Sequence, residues 1–131
     1  MTDSVIPLRQ VLRLSGTWKI AEGALDAPPK TFERSVPVPG LVDMAKPPFV
    51  EPGPKVEDRE KLPSKDSRRD AYWYRRTFTI EGPVSRVATL KISKAMFGSR
   101  VILNGKSLGD HAPSFTPGYF DVRQALRMGE N

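Results

Sequence analysis

The sequence predicts an all-β fold, an antiparallel β-sandwich or barrel, on three observations. Short segments with alternating apolar and polar side chains recur along the chain, turn residues separate them, and almost no stretch carries the 3.6-residue apolar period of a helix. About seven short strands with frequent turn signals are what such a sandwich or barrel needs.

The first strand is expected in Ser15-Gly16-Thr17-Trp18-Lys19-Ile20-Ala21, whose alternation centres on Trp18 and Ile20 and which ends at Gly23. A second extended run, Thr31-Phe32-Glu33-Arg34-Ser35-Val36-Pro37-Val38, is broken at Pro39-Gly40, and Pro37 marks it as an edge strand or a strand end. The central run is Tyr72-Trp73-Tyr74-Arg75-Arg76-Thr77-Phe78-Thr79-Ile80, stopped by Glu81-Gly82-Pro83. Period two puts Tyr72, Tyr74, Arg76, Phe78 and Ile80 on one face, so Arg76 is the charged exception on an apolar face. A guanidinium there is costly unless paired, and Asp121 is the first candidate for its carboxylate partner.

In Val87-Ala88-Thr89-Leu90-Lys91-Ile92, Ala88, Leu90 and Ile92 alternate with Thr89 and Lys91, giving one buried and one wet face. Ser99-Arg100-Val101-Ile102-Leu103 and Lys106-Ser107-Leu108 flank Asn104-Gly105, the strongest short hairpin signal, because a type I′ turn needs positive φ at both central residues. Phe115 to Val122 reads as a turn followed by a strand, and Arg123-Gln124-Ala125-Leu126 as at most one helical turn. Met128-Gly129-Glu130-Asn131 reads as a turn into a further strand that the chain lacks, which would leave one sheet edge uncovered.

Length and composition narrow the function classes. A chain of 131 residues is expected to form a single domain, here 1–131, with a core that needs no disulfide. With no cysteine, disulfides, iron–sulfur clusters, a cysteine nucleophile and thiolate zinc are excluded, and a single histidine excludes a two-histidine metal pair. No cofactor and no metal are expected. The N-terminus has no basic start and long apolar run of a secretory leader, and no segment approaches the ~18 apolar residues of a membrane span, so no membrane partner is expected and the compartment stays open.

The formal charge of +6 raises nucleic acid as a partner, but its distribution argues against one. The most charged stretch, residues 55–70, holds six bases and five acids, a net of +1 that reads as a solvated loop. That stretch lies in a long Pro-rich and charged segment, about 42–71; nine of the thirteen prolines fall within residues 28–63. Loops longer than ~15 residues in a compact domain are usually functional or disordered.

The fixed order of Leu14-Ser15-Gly16-Thr17-Trp18, Val36-Pro37-Val38-Pro39-Gly40, Trp73-Tyr74-Arg75-Arg76-Thr77-Phe78, Val101-Ile102-Leu103-Asn104-Gly105, Leu108-Gly109-Asp110-His111, Phe115-Thr116-Pro117 and Phe120-Asp121-Val122 resembles the N-terminal sugar-binding domain of glycoside hydrolase family 2. That family includes the β-galactosidases, β-glucuronidases and β-mannosidases. The resemblance runs from about residue 14 to the end. It implies a jelly-roll sandwich of galactose-binding-like type, packed in the whole enzyme against an immunoglobulin-like domain and a TIM barrel that carries the two catalytic glutamates. None of the seven glutamates here occupies a catalytic motif of the family, so no catalysis is expected from this chain alone. A departure is Ala112-Pro113-Ser114, which stands where the family commonly has glycines before its Tyr-x-Pro-like turn.

The expectation is therefore a non-catalytic accessory domain at the N-terminus of a longer multidomain glycosidase, touching its downstream domains and, weakly or through them, carbohydrate. In the resembled enzymes the loop after the Pro-Gly leans toward the barrel mouth, which makes Asp43 and Phe49 candidates for ligand or interdomain contact; Trp73 and His111 are candidates as well. Each has a plainer reading, core packing for Trp73 and a backbone or loop hydrogen bond for His111. Two other functions stay open: a free-standing carbohydrate-binding module, and an interaction module that self-associates through its uncovered edge.

Overall fold

The computed structural model describes residues 9–49, 71–96, 98–113 and 115–131. Its elements are β1 (Gly16–Gly23), β2 (Arg34–Val38), a single 3₁₀ turn over Val42–Met44, β3 (Ala71–Arg75), β4 (Thr79–Ile80), β5 (Thr89–Ile92), β6 (Ser99–Leu103), β7 (Lys106–His111), β8 (Gly118–Asp121) and β9 (Gly129–Glu130). No α-helix occurs among the described residues, and every strand pairing described is antiparallel. The chain is thus of the all-β sandwich class that its alternation predicts. It falls into two compact units, Met1–Arg76 and Thr77–Asn131.

In the first unit β1 is the middle strand of a sheet in the order β2-β1-β3. Trp18 lies opposite Val36, and Ile20 opposite both Arg34 and Tyr74. Ile20 and Val36 are fully buried, and with Ala45 and Phe49 they form the core, against which Trp18, Val38, Val42 and Tyr72 pack. Pro37 sits one residue from the end of β2, an edge strand of this sheet, as its missing N–H requires. β2 starts at Arg34 rather than at Thr31, because the ladder with β1 begins only where Arg34 meets Ile20.

The start of the long segment 42–71 is part of this core. Ser35 and Lys46 exchange both backbone hydrogen bonds, at 2.9 and 2.7 Å, which pins the turn over Val42–Met44 onto β2 and brings Ala45 and Phe49 inward. The charged run 55–70 lies outside the described residues.

The predicted nine-residue central strand is two strands. β3 ends at Arg75 opposite Lys19, and from Phe78 the chain pairs instead with the last residues, Phe78 with Asn131 through two backbone bonds of 3.0 and 2.8 Å, then Thr79 with Glu130 and Ile80 with Gly129. A change of ladder partner at residues 76–77, where the two units also divide, breaks the strand that the alternation describes as continuous. Gly129–Glu130, read from sequence as a turn, is accordingly a strand.

In the second unit β5 pairs with β8 and β6 with β7. The hairpin turn is the one expected: Asn104 has φ 51° and Gly105 φ 79°, both positive as a type I′ turn demands. A bulge follows, since Val101 faces Gly109 while the next residue, Ile102, faces Ser107. Val122, Ala125 and Leu126 form the single helical turn, with Ala125 and Leu126 N–H groups both donating to the Val122 carbonyl. Phe120 and Val122 are buried here, and so is one polar residue, Asn131.

Candidate functional site

The ladder of β5 and β8 separates two faces cleanly. Leu90, Ile92 and Phe120 turn away from water, while Thr89, Lys91, Tyr119 and Asp121 are exposed, Tyr119 at 64%. Register sets the exposed pairs, Thr89 opposite Asp121 and Lys91 opposite Tyr119. The pairing continues one step further through the Val122 N–H to the Ala88 carbonyl at 3.0 Å, which holds residues 86–88 beside Arg123.

On this wet face lies an open groove of about 350 Å³ lined by Arg86, Val87, Ala88, Thr89, Tyr119, Asp121 and Arg123. Its volume is at the lower end of the ~300–1,000 Å³ usual for small-molecule sites. Asp121 is oriented by the Arg123 backbone N–H, which donates to Oδ1 at 3.0 Å. The Lys91 ammonium stands 5.8 Å from the centre of the Tyr119 ring. Arg86, Arg123 and Lys91 against Asp121 give this face three positive charges and one negative, a formal net of +2.

The residues singled out in the sequence are spread over both units. Asp43 is exposed on the 3₁₀ turn. Phe49 is 5% exposed, edge-on to Tyr72 with ring centres 5.2 Å apart, and carries the Arg34 guanidinium 4.6 Å from its centre. It fills the core and presents almost no surface to a ligand. Trp73 is half-buried across Gly23 and gives its indole N–H to the Ala24 carbonyl at 2.7 Å. Trp18 does the same with Leu14 at 2.6 Å, so both indoles hold backbone in place.

His111, at the end of β7, has its Nε2 3.0 Å from the Thr116 hydroxyl, and its ring lies against Gly118. It ties two segments of the second unit together. Arg76 and Asp121, expected to pair with each other, belong one to each unit. The partner that the structure gives Arg76 is a carbonyl: Nη1 donates to Thr17 O at 3.2 Å, over Gly16, where a Cβ would come within 3.0 Å of that nitrogen. The partner of Asp121 is the Arg123 N–H.

Sequence reasoning did not find the groove: Asp121 was singled out there only as a partner for Arg76. Arg86 and Tyr119 are more than thirty residues apart, and only the β5–β8 register brings them together. Among the described residues no group of three or more His, Asp or Glu is placed to hold a metal ion, and no helix is long and apolar enough to cross a membrane.

No protein-family model matches the sequence, and no curated protein matches it either. Among solved structures, a β-glucuronidase from an uncultured Clostridium species is similar in fold, with a TM-score of 0.60 and 20% sequence identity. The match covers 93% of this chain and 21% of the enzyme. The chain therefore spans about a fifth of the length of that relative and shares the fold of that part.

Proposed function

We propose that this chain is a non-catalytic accessory domain of a family 2-like glycoside hydrolase, a jelly-roll, galactose-binding-like sandwich that supports a catalytic barrel and contributes to the surroundings of its substrate cleft. The observation that carries the reading is the likeness over 93% of this chain to only 21% of a β-glucuronidase. A piece of that size is what one accessory domain of a multidomain glycosidase amounts to. The ordered motifs from Leu14-Ser15-Gly16-Thr17-Trp18 to Phe120-Asp121-Val122 support the same assignment.

The parent reaction would be retaining hydrolysis of a β-glycoside, which needs two carboxyl groups about 5 Å apart, one as nucleophile and one as acid and base. Those groups come from the barrel. The part of this chain is packing and, at its exposed loops and β5–β8 face, contact with carbohydrate or with neighbouring domains. Sequencing the source coding DNA past the codon for Asn131 tests the reading: it should run on into a second sandwich and a barrel with paired glutamates. The 131-residue chain should leave 4-nitrophenyl β-D-glucuronide, β-D-galactoside and β-D-mannoside intact. Turnover of any of them by this chain would overturn the non-catalytic assignment, and a stop codon there would overturn the assignment to a larger glycosidase.

A further inference from the structure

We infer that the groove on the wet face of β5 and β8 is a site for a carboxylate-bearing pyranose, an acidic monosaccharide or the acidic end of a glycan. The inference rests on the carbohydrate side of the function proposed above and gives it a location and a charge. Three features of the groove point to this ligand chemistry.

The first is the exposed ring. A pyranose offers a face of C–H groups bounded by hydroxyls, and it matches a flat apolar surface with polar groups at its border. Tyr119, 64% exposed and not needed by the core, is such a surface, and Val87, 82% exposed, lines the same groove further along the ladder. The second is the polar border. Asp121 is fixed by the Arg123 N–H bond to Oδ1, its Oδ2 is left for a hydroxyl donor, and the Thr89 hydroxyl is its direct cross-strand neighbour. Hydroxyl pairs on sugars are donors that a carboxylate accepts well.

The third is the charge. Neither Arg86 nor Arg123 has a carboxylate partner among the described residues, although Asp121 lines the same groove. Two free guanidinium groups present paired N–H donors in the planar geometry that fits a carboxylate, and a net of +2 on this face favours an anion over a neutral sugar. A plain anion site would need neither the exposed ring nor the aspartate, which repels anions. The combination of an aromatic platform, an acceptor and a pair of unpaired guanidinium groups suits a ligand that is a sugar and an acid at once.

The test is a titration of the ¹⁵N-labelled 131-residue chain with D-glucuronate, with D-glucose, and with sodium acetate at matched ionic strength, following the backbone amides. The two sugars share a ring and differ at C6. Saturable shifts are expected at residues 86–91 and 119–123, with glucuronate binding about fivefold more tightly than glucose, the size of one exposed ion pair. Arg86→Gln combined with Arg123→Gln should erase that preference, and Tyr119→Ala should weaken both sugars alike. Equal affinity for the two sugars overturns the acidic ligand. Identical shifts with acetate overturn the sugar. Saturation at other residues overturns this groove while leaving a carbohydrate role elsewhere, and no saturation with either sugar overturns the carbohydrate role of the chain along with the groove.

Discussion

The unit that ends at Arg76 buries Ile20, Val36, Ala45 and Phe49 together, drawn from β1, β2 and the start of the Pro-rich segment. The unit that begins at Thr77 buries Phe120 and Val122 and also, among its described residues, the polar Asn131. In the first unit apolar area removed from water does the work, at roughly 25 cal/mol per Å². In the second, much of the cohesion runs through one amide. Asn131 Oδ1 accepts from Asn104 Nδ2 and from the Arg127 N–H, both at 2.9 Å, and its Nδ2 donates to the Arg127 and Gly129 carbonyls at 2.8 and 2.9 Å. Asn104 Nδ2 also reaches the Ala125 carbonyl at 2.7 Å. The hairpin tip, the helical turn and β9 are thereby joined at a single point. Two units of the same strand chemistry are thus held by different means, and each means has its own weak residue.

The largest effect is expected in the first core. Ile20→Ala removes a side chain with no exposed surface from a sheet whose backbone cannot close the gap, and should cost about 3 to 4 kcal/mol in urea denaturation. A cost under about 1 kcal/mol would mean that the core can collapse around the loss, and would break the contrast at its apolar end. Asn131→Ala comes next. It takes one of the two acceptors from Asn104 Nδ2 and leaves the Arg127 N–H and the Arg127 and Gly129 carbonyls without their side-chain partner, and should cost about 2 kcal/mol, with amide exchange accelerating first at residues 104, 125 and 127. Exchange that accelerates uniformly through residues 9–49 instead would show that the amide does not hold the second unit in particular.

What could be read in the sequence follows the same division. Local chemistry was legible: the Asn104-Gly105 turn declares its φ angles, Pro37 declares the end of β2, and Leu90 and Ile92 declare the dry face of β5. Facts that depend on a distant partner were not. Nothing in Arg76-Thr77-Phe78 announces that the chain leaves β1 and takes up Asn131, because alternation is the same whichever strand lies alongside. Phe49 sits among prolines and reads as loop, yet the Ser35–Lys46 bridge carries it into the core. The groove was not legible: Asp121 stood out only as a partner for Arg76, and Tyr119, Arg86 and Arg123 not at all, since an exposed tyrosine or arginine gains meaning only from its cross-strand neighbours.

A smaller effect separates the two units by pH. Burial raises the Tyr74 phenol above its ordinary 10.0, and the charge of Tyr72 beside it raises it further. The folded chain therefore prefers the neutral phenol more than the unfolded chain does. Its contribution is complete below 10.0 and is lost as pH climbs through the higher folded value. Thermal melts across the alkaline range should show the wild type losing stability faster than Tyr74→Phe. Parallel curves for the two proteins would remove Tyr74 as the cause.

The smallest effect sharpens the account of the second unit most. Arg100 and Asp110 face each other across β6 and β7 with two side-chain bonds, at 2.9 and 3.2 Å, the shorter of them as short as the bond from Asn104 to Asn131. The hydrogen bonding from Arg100 holds the Asp110 carboxyl below its ordinary 3.8, with desolvation opposing it and the Arg100 charge adding to it. Whatever stability this brings is present above 3.8 and lost as pH falls through the lowered value. Both side chains stand in water, however, 41% and 57% exposed, where ions screen the pair and water replaces either partner at once. Asp110→Asn should leave the urea midpoint at neutral pH where it was, and any difference seen at low ionic strength should vanish on adding salt. Distance alone would rank this pair with the Asn104–Asn131 bond, whereas burial ranks them far apart. If Asp110→Asn were to lower the midpoint as much as Asn131→Ala does, the second unit would be held by its exposed hairpin pairs, and the buried amide would lose its special place.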